Sequence, residues 1–413
     1  MSKKVCITTL GCRANQADSN DIAGYFSSNG YAVAERCEKA DVCVINTCTV
    51  TSGADADCRN KIRAVRKKNP KARIIITGCL ARVAADDLKR MSEVDDVWGS
   101  EWRAEALRYN GRNFTRNVAE PPRTPLIDRT RPLVKIQDGC DRFCAYCIVP
   151  FARGGNKSMP KDEVLRRVLS IKDSGYSEAV LTGIHLGGYG KDLSPKETLV
   201  GLLKDICATA GKGFRIRLSS IDPDEWTDEL LDLVTKEPAI CPHFHIPLQS
   251  GDDEILKKMK RRYNTVEFKS LVSKLKKKLP DSAIGADVIV GFPGETNAHF
   301  EGTRRFIEGL DIAYLHVFSY SRRTGTAADK MSGQVPEREK KRRADILRKI
   351  SEEKRAWFVK SQVGKKLRVV IEAKRDKKTG KLKGVSENYI PVLLDGGDEM
   401  MKKQVDVKFK MEG

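Results

Sequence analysis

The sequence predicts an α/β protein in three parts: an N-terminal open parallel α/β domain, a central partial (β/α)6 barrel, and a small antiparallel β-barrel at the C-terminus. Three observations predict it. Short apolar runs alternate with segments of helical period twice over, once in residues 1–120 and again in 133–358. A proline-rich stretch divides the two alternations. From residue 361 onward strand-like runs follow one another, separated by Gly- and Asp-rich turns.

In the first part the runs are VCITTL (5–10), DVCVIN (41–46), RIIIT (73–77) and DDVWG (95–99), with helical stretches between them. Such alternation indicates a parallel sheet covered by helices. NVAEPPRTPLIDRTRP (117–132) carries four prolines and little apolar periodicity, and a linker is drawn over 121–132. The central part has the strand candidates LVKIQ (133–137), EAVLTG (178–183), RIRLSS (215–220), FHIPLQ (244–249), AIGADVIVG (283–291) and YLHVFSY (314–320). Helical spacing lies between them, as in 161–175 and 265–279. Six units are too few for a closed eight-stranded barrel, so an open one is expected. A basic helix over 337–358 leads to the last part, 361–413. Its runs KLRVVIEAK (366–374), KLKGVSENYIPVLL (381–394) and QVDVKFK (404–410) suit a small barrel of the kind that handles oligonucleotides.

The 413 residues carry 76 Lys and Arg against 56 Asp and Glu, a formal net charge of +20. An excess of this size favours a polyanionic partner, nucleic acid first among them. The apolar runs are too short for a membrane span, and MSKKVCITTLGC lacks a signal-peptide core. A cytoplasmic protein is therefore expected. Twelve cysteines in so long a chain do not resemble the disulfide framework of a small secreted domain. Metal ligation or redox chemistry is the better explanation for some of the twelve, while others, such as Cys6, Cys37, Cys43 and Cys207, read as small buried apolar side chains.

Cys12, Cys48 and Cys79 each follow one of the first three strands closely. Ligands of an open parallel sheet gather at the carboxyl ends of its strands, so three distant loops can bring three thiolates together. Three unrelated loop cysteines remain the alternative. The second set, Cys140, Cys144 and Cys147, lies within GCDRFCAYCIVP (139–150), directly after the first strand of the central part. A structural zinc would need a fourth ligand from elsewhere, such as His185 or Cys241. An iron–sulfur cluster held by only three thiolates would keep one iron open to a ligand.

C-x3-C-x-aromatic-C at this place resembles the radical S-adenosylmethionine (SAM) superfamily. In that superfamily the open iron is chelated by the amino and carboxylate groups of SAM, which is cleaved to a 5′-deoxyadenosyl radical. LGCRANQADS (10–19), INTCTVT (45–51), TGCLAR (77–82), GCDRFCAYCIVPFARG (139–154), LTGIHLGGYG (181–190), IPLQSGDDEILKKMKRRY (246–263), DVIVGFPGET (287–296) and VFSYSRRTGTAA (317–328) narrow the resemblance to its methylthiotransferases. The terminal barrel is similar to the family's TRAM RNA-binding domain.

The resemblance implies two 4Fe–4S clusters, one on Cys140, Cys144 and Cys147 and a second on Cys12, Cys48 and Cys79 that carries the sulfur to be transferred. It places Tyr146 near the adenine of SAM, and Thr182 and Gly183 at its amino group. Ser219 and Ser220, Gln249 and Ser250, and Gly291 follow the next three strands and face the same edge, where the carboxylate, ribose and adenosine are expected. Each also reads as ordinary turn chemistry. His185 is expected in a loop on the SAM side, and His243 and His245 in packing. Arg153, directly behind the cluster loop, is expected to meet an RNA phosphate, with Lys157 the next cation. The basic runs 256–262, 274–279 and 337–358 read equally as solvated faces.

Within the family, CDRFCAYCIVPFARG and LTGIHLGGYG look closest to the branch that modifies N6-threonylcarbamoyladenosine in tRNA. Other branches modify isopentenyladenosine in tRNA or an aspartate of a ribosomal protein. A C-terminal part with 13 Lys and Arg against 8 Asp and Glu suits an anticodon stem-loop. The target adenosine there is unpaired and open to readout. An electron donor and a sulfur donor are implied, no membrane is, and a monomer is expected. The rival of another class is a non-enzymatic RNA-binding protein with two structural metal sites.

Overall fold

Five parallel strands, β1 (Lys4–Thr9), β2 (Ala32–Val33), β3 (Val42–Thr47), β4 (Arg73–Gly78) and β5 (Asp96–Val97), pair in the order β2-β1-β3-β4-β5. The structure is a computed structural model and describes residues 2–99, 102, 105–106 and 130–411. Most of the expected linker, 121–129, lies outside the described residues. The period-2 alternation of the strands serves two cores. Cys43 and Ile45 of β3 pack on one face with Ile74 and Ile76 of β4, and Val42 and Val44 pack on the other with Val5 and Ile75. Helices α1 (Arg13–Ser28) and α2 (Ser52–Lys68) connect these strands. The Thr51 hydroxyl caps α2 by accepting Ala54 N–H, and Arg66, Lys67 and Lys68 sit at its negative end. After β4 come the short helices α3 (Cys79–Val83) and α4 (Ala85–Lys89).

The contacts divide the chain into two units. Gln137–Phe143 and Cys147–Lys157, which contains the short helix α5 (Val149–Arg153), belong to the N-terminal unit, although the sequence assigns them to the central part. Within this unit α5 packs against α3, and Arg153 reaches Asp18 of α1, 135 residues earlier.

The second unit holds all six expected central strands: β6 (Leu133–Lys135), β7 (Glu178–Thr182), β8 (Arg215–Leu218), β9 (His243–His245), β10 (Ala283–Val290) and β11 (Tyr314–Ser319). They form two parallel three-stranded sheets, β8-β7-β6 and β9-β10-β11. Ile216 joins the two through backbone bonds with Ala239 and Cys241. The result is the open partial barrel the sequence predicts. Its helices are α6 (Lys161–Asp173), α7 (Leu199–Ala210), α8 (Asp228–Lys236), α9 (Asp253–Lys258), α10 (Thr265–Lys278) and α11 (Asn297–Glu308). They pack apolar stripes such as Leu202, Leu203 and Ile206 on the sheet.

Helix α12 (Glu337–Ser361) is not a uniformly solvated basic face, because Lys340 and Arg343 are buried and Arg343 pairs with Glu295 and Glu339. It leads to β12 (Lys366–Ile371), β13 (Leu382–Ser386), β14 (Pro391–Leu394) and β15 (Gln404–Lys408). These pair antiparallel in the order β14-β13-β12-β15, so the expected small barrel is seen as a four-stranded antiparallel sheet among the described residues. The sheet shares a core with Phe358, Ala283 and Ala313, within the same unit as the partial barrel. No helix among the described residues is long and apolar enough to cross a membrane.

Candidate functional site

In the N-terminal unit, β1, β3 and β4 end side by side, and Cys12, Cys48 and Cys79 follow them. Gly11 permits the approach: at φ +112 it takes a conformation other residues avoid, and a Cβ on it would stand 2.8 Å from Cys48 Cβ. Asn15, fully buried one turn into α1, ties the loops together. Its Nδ2 donates to Leu10 O at 2.9 Å and to Thr47 O at 2.7 Å. The sulfurs of Cys12 and Cys79 lie 3.8 and 3.9 Å from its Oδ1. The three-loop convergence expected from strand-end placement is therefore what the fold forms.

All three thiols are free, with Cys48 and Cys79 buried and Cys12 exposed. Burial pushes the Cys48 thiol up, and it pushes Cys79 up to about 11 against the pull of Arg153. A metal replacing the proton overcomes that penalty. A single zinc, with bonds of about 2.3 Å, would need its sulfurs close enough to share one ion. Among the described residues these three sulfurs do not all come within 4.8 Å of one another. A 4Fe–4S cluster spreads its thiolates over separate irons, and the donor set fits it.

Arg153 is the polar centre of this site. Its side chain is 7% exposed. Nη1 donates to both oxygens of Asp138 at 2.7 and 2.9 Å, Nη2 to Asp18 at 3.0 Å and to Asn15 Oδ1, and Nε to Cys79 Sγ at 3.3 Å. Burial opposes its charge, yet Asp18, Cys79 and Asp138 hold the guanidinium well above its ordinary range. This corrects the expectation that Arg153 meets an RNA phosphate, since its donors are committed inside the unit. Lys157 is exposed.

Of the second thiol set, Cys140 and Cys147 fall in the N-terminal unit, and Cys144–Tyr146 in the second. Cys140 N–H donates to Gly154 O at 3.0 Å. In the second unit, Ala145 is fixed by backbone bonds to Met259 and Ala328, and Tyr146 packs partly buried against their cluster. Arg261 Nη1 donates to Cys144 Sγ at 3.2 Å, while Nη2 pairs with Asp222 and Nε donates to Tyr263 Oη at 3.2 Å. Its side chain is 5% exposed, so this member of the basic run 256–262 is neither a solvated face nor an RNA contact.

The residues expected near SAM occupy the strand ends of the second unit. Thr182 is buried at the end of β7, its carbonyl accepting Ile136 N–H at 2.9 Å, and Gly183 follows it. Ser219 Oγ and Gln249 Oε1 are buried polar atoms without a hydrogen-bond partner among the described residues. A buried orphan of this kind is costly unless a ligand satisfies it, which fits a polar cofactor at this edge. Gln249 also has φ +65, a strained left-handed conformation. Ser220 is exposed. The Ser250 hydroxyl contacts Thr303 Oγ1 at 3.3 Å and accepts Asp252 N–H at 3.3 Å. At Gly291 a Cβ would overlap the Lys340 side chain, so packing alone demands glycine there.

His185 sits on the loop after β7 with Nε2 2.8 Å from Glu225 Oε1. His243 and His245 take packing and hydrogen-bonding roles, His243 stacked on Tyr389 and His245 2.9 Å from Asp287 Oδ1. Cys6 and Cys43 lie in the core, whereas Cys37 is half-buried with its sulfur 2.9 Å from Cys6 Sγ. Sequence reasoning missed Asn15, Asp18, Asp138, Asp222 and Arg261. Asn15 and Asp18 had a faint signal, lying at i+3 and i+6 from Cys12 on one helix face.

Residues 4–99 match the description "Uncharacterized protein family UPF0004", and residues 134–307 match "Radical SAM superfamily". The chain is 37% identical over 99% of its length to the threonylcarbamoyladenosine tRNA methylthiotransferase MtaB of Bacillus subtilis (strain 168), covering 94% of that protein. It is 38% identical over 97% of its length to the protein of the same name from Aquifex aeolicus (strain VF5), covering 98% of it. Among solved structures, the radical S-adenosylmethionine methyltransferase TsrM from Kitasatospora setae superposes with a TM-score of 0.58 at 14% identity. The superposition covers 80% of this chain and 77% of that one, a likeness of fold.

Proposed function

The chain belongs to the radical SAM methylthiotransferase family, and from that premise we propose that it adds a methylthio group to C2 of N6-threonylcarbamoyladenosine, 3′ of the anticodon in tRNA. The observation that carries the reading is the convergence of Cys12, Cys48 and Cys79 beside Asn15. A radical SAM enzyme that only abstracted hydrogen would need one three-thiol set, and transfer of sulfur gives the second a use. The choice of nucleoside rests on the near-full-length likeness to the two relatives above.

When bound, the two clusters and SAM supply the electron, the radical, the sulfur and the methyl group. The protein's own part is to hold and orient. Cys140, Cys144 and Cys147 hold one cluster, and Cys12, Cys48 and Cys79 hold the other. Ser219 and Gln249 offer their unsatisfied polar atoms to SAM, with Thr182, Gly183, Ser220 and Ser250 at the same edge, Tyr146 near the adenine, and Gly291 supporting the turn. Lys157 meets the RNA backbone, and the basic C-terminal sheet binds RNA as a TRAM domain. The protein works in the cytoplasm as a monomer, with separate electron and sulfur donors.

The test is anaerobic turnover with reductant, SAM, a sulfide source and tRNA carrying threonylcarbamoyladenosine, read by nucleoside mass spectrometry. The expected product is the 2-methylthio nucleoside. Reaction of isopentenyladenosine tRNA instead would reassign the branch. Reaction of ribosomes alone would reassign the substrate class. A colourless, zinc-bound protein inert to SAM would favour the RNA-binding rival.

A further inference from the structure

We propose that Arg153 is a positioning residue for the Cys12/Cys48/Cys79 cluster, setting its reduction potential through an N–H···S bond to Cys79. The inference rests on the reading above that these three thiols hold a cluster. Four observations carry it, all within the N-terminal unit. Arg153 Nε points at Cys79 Sγ from 3.3 Å. The side chain is 7% exposed, so water does not compete for that bond. Asp18 and Asp138 brace the two terminal nitrogens from opposite sides, at 3.0 and 2.7 Å, which fixes where Nε points. Asn15, which lies against the sulfurs of both Cys12 and Cys79, also accepts from the same guanidinium.

The chemistry of the donor gives the direction of the effect. Reduction of a cluster adds negative charge to its sulfurs. A charged donor bonded to a thiolate sulfur stabilises the reduced state more than the oxidised one and raises the potential. Two carboxylates outweigh the single charge of Arg153 at long range but leave the directed N–H in place, so the local bond and not the net charge carries the effect. Lysine cannot reproduce this arrangement, because an ammonium is a point charge without the planar fork that spans Asp138, Asp18, Asn15 and Cys79 at once. Arg153 also stands six residues after Cys147, at the end of α5, so the element that trails one cysteine set touches a ligand of the other. Arg261 on Cys144 is the matching device in the second unit, also braced by a carboxylate, Asp222.

The experiment isolates the first cluster in the full-length chain with Cys140, Cys144 and Cys147 replaced by Ala, reconstituted anaerobically. Iron is counted, and the potential is read by electron paramagnetic resonance during a redox titration. Arg153→Gln and Arg153→Lys are compared in that background. The expected result is about four irons retained and a more negative potential. The ratio of reduced to oxidised cluster at a fixed potential should fall about tenfold, which is ~59 mV for a one-electron couple. An unchanged potential in a variant that keeps its iron overturns the proposal. If Arg153→Gln loses its iron, Arg153→Lys decides, since it keeps a cation for Asp18 and Asp138. If the parent with Arg153 intact binds no cluster, the reading of the site fails first and takes this proposal with it.

Discussion

Glu178 on β7 accepts an N–H from Arg215 Nε at 2.6 Å where neither side chain is more than 1% exposed. Arg217 Nε closes on its other oxygen at 2.7 Å. The same two guanidinium groups donate onward to Arg368 O, Val385 O, Ser386 O and Glu387 O, so a buried ionic centre of the partial barrel holds the backbone of the C-terminal sheet. Burial opposes the charge on Glu178, but Arg217 and Arg215 outweigh it and lower its pKa to about 2.

Breaking this centre from one side should cost more than any surface pair. Glu178→Ala leaves two buried guanidinium groups without their carboxylate, a loss of roughly 3–5 kcal/mol. The C-terminal sheet should become the first part of the chain to lose hydrogen-exchange protection. The pH dependence has a definite sign. A folded pKa depressed to about 2 gives stability that is fully present above the unfolded carboxylate value and is lost as pH falls toward 2. Wild-type denaturant midpoints should fall across that acid window, and those of Glu178→Gln should fall less.

The two cysteine sets should separate by assay. Ala at Cys12, Cys48 or Cys79 should leave roughly half of the iron and preserve reductive SAM cleavage while abolishing methylthio transfer. Ala at Cys140, Cys144 or Cys147 should abolish both. Equal loss of SAM cleavage from either set would count against two independent sites.

Ser219→Ala distinguishes a ligand contact from a structural one. The Ser219 hydroxyl is buried without a partner among the described residues, so its removal should leave the melting temperature of the SAM-free protein unchanged or slightly raised. If SAM satisfies the hydroxyl, the same variant should bind SAM about fivefold to tenfold more weakly, a loss near 1 kcal/mol. Isothermal titration with the reconstituted protein reads this directly.

Phe143 lies within the second cysteine set in sequence and Phe151 just after it, and their rings stand edge to face at 6.2 Å, about half exposed. Under the function proposed above, exposed aromatics here suit stacking on an unpaired base, which is sequence-tolerant and adds about 1–3 kcal/mol per base. Phe151→Ala should weaken binding of an anticodon stem-loop roughly fivefold to a hundredfold. The slope of affinity against salt should stay the same, because no phosphate contact is removed. A changed slope with unchanged affinity at low salt would rule out stacking.

Much of this was legible in the linear chain. Strand-then-Cys placement identified Cys12, Cys48 and Cys79 as neighbours, because a parallel sheet sends the carboxyl ends of its strands to one edge. The apolar runs marked all six central strands for the same reason of period and burial. Arg153 and Arg261 were not legible in this way. Each stands in a basic or polar run that reads as surface, and its partners, Asp18 and Asp222, are 135 and 39 residues away.

The sequence by itself determined the ligand types, their order and the sheet that gathers them, since hydrophobic period and turn chemistry are local properties. Only the tertiary structure decided which cations are spent inside. It turned Arg153 from an expected RNA contact into a donor to Cys79, and Arg215 and Arg217 into the anchor of the C-terminal sheet. The physical reason is that an arginine is buried only where distant carboxylates, carbonyls or sulfurs converge to satisfy its donors, and no local pattern records that convergence.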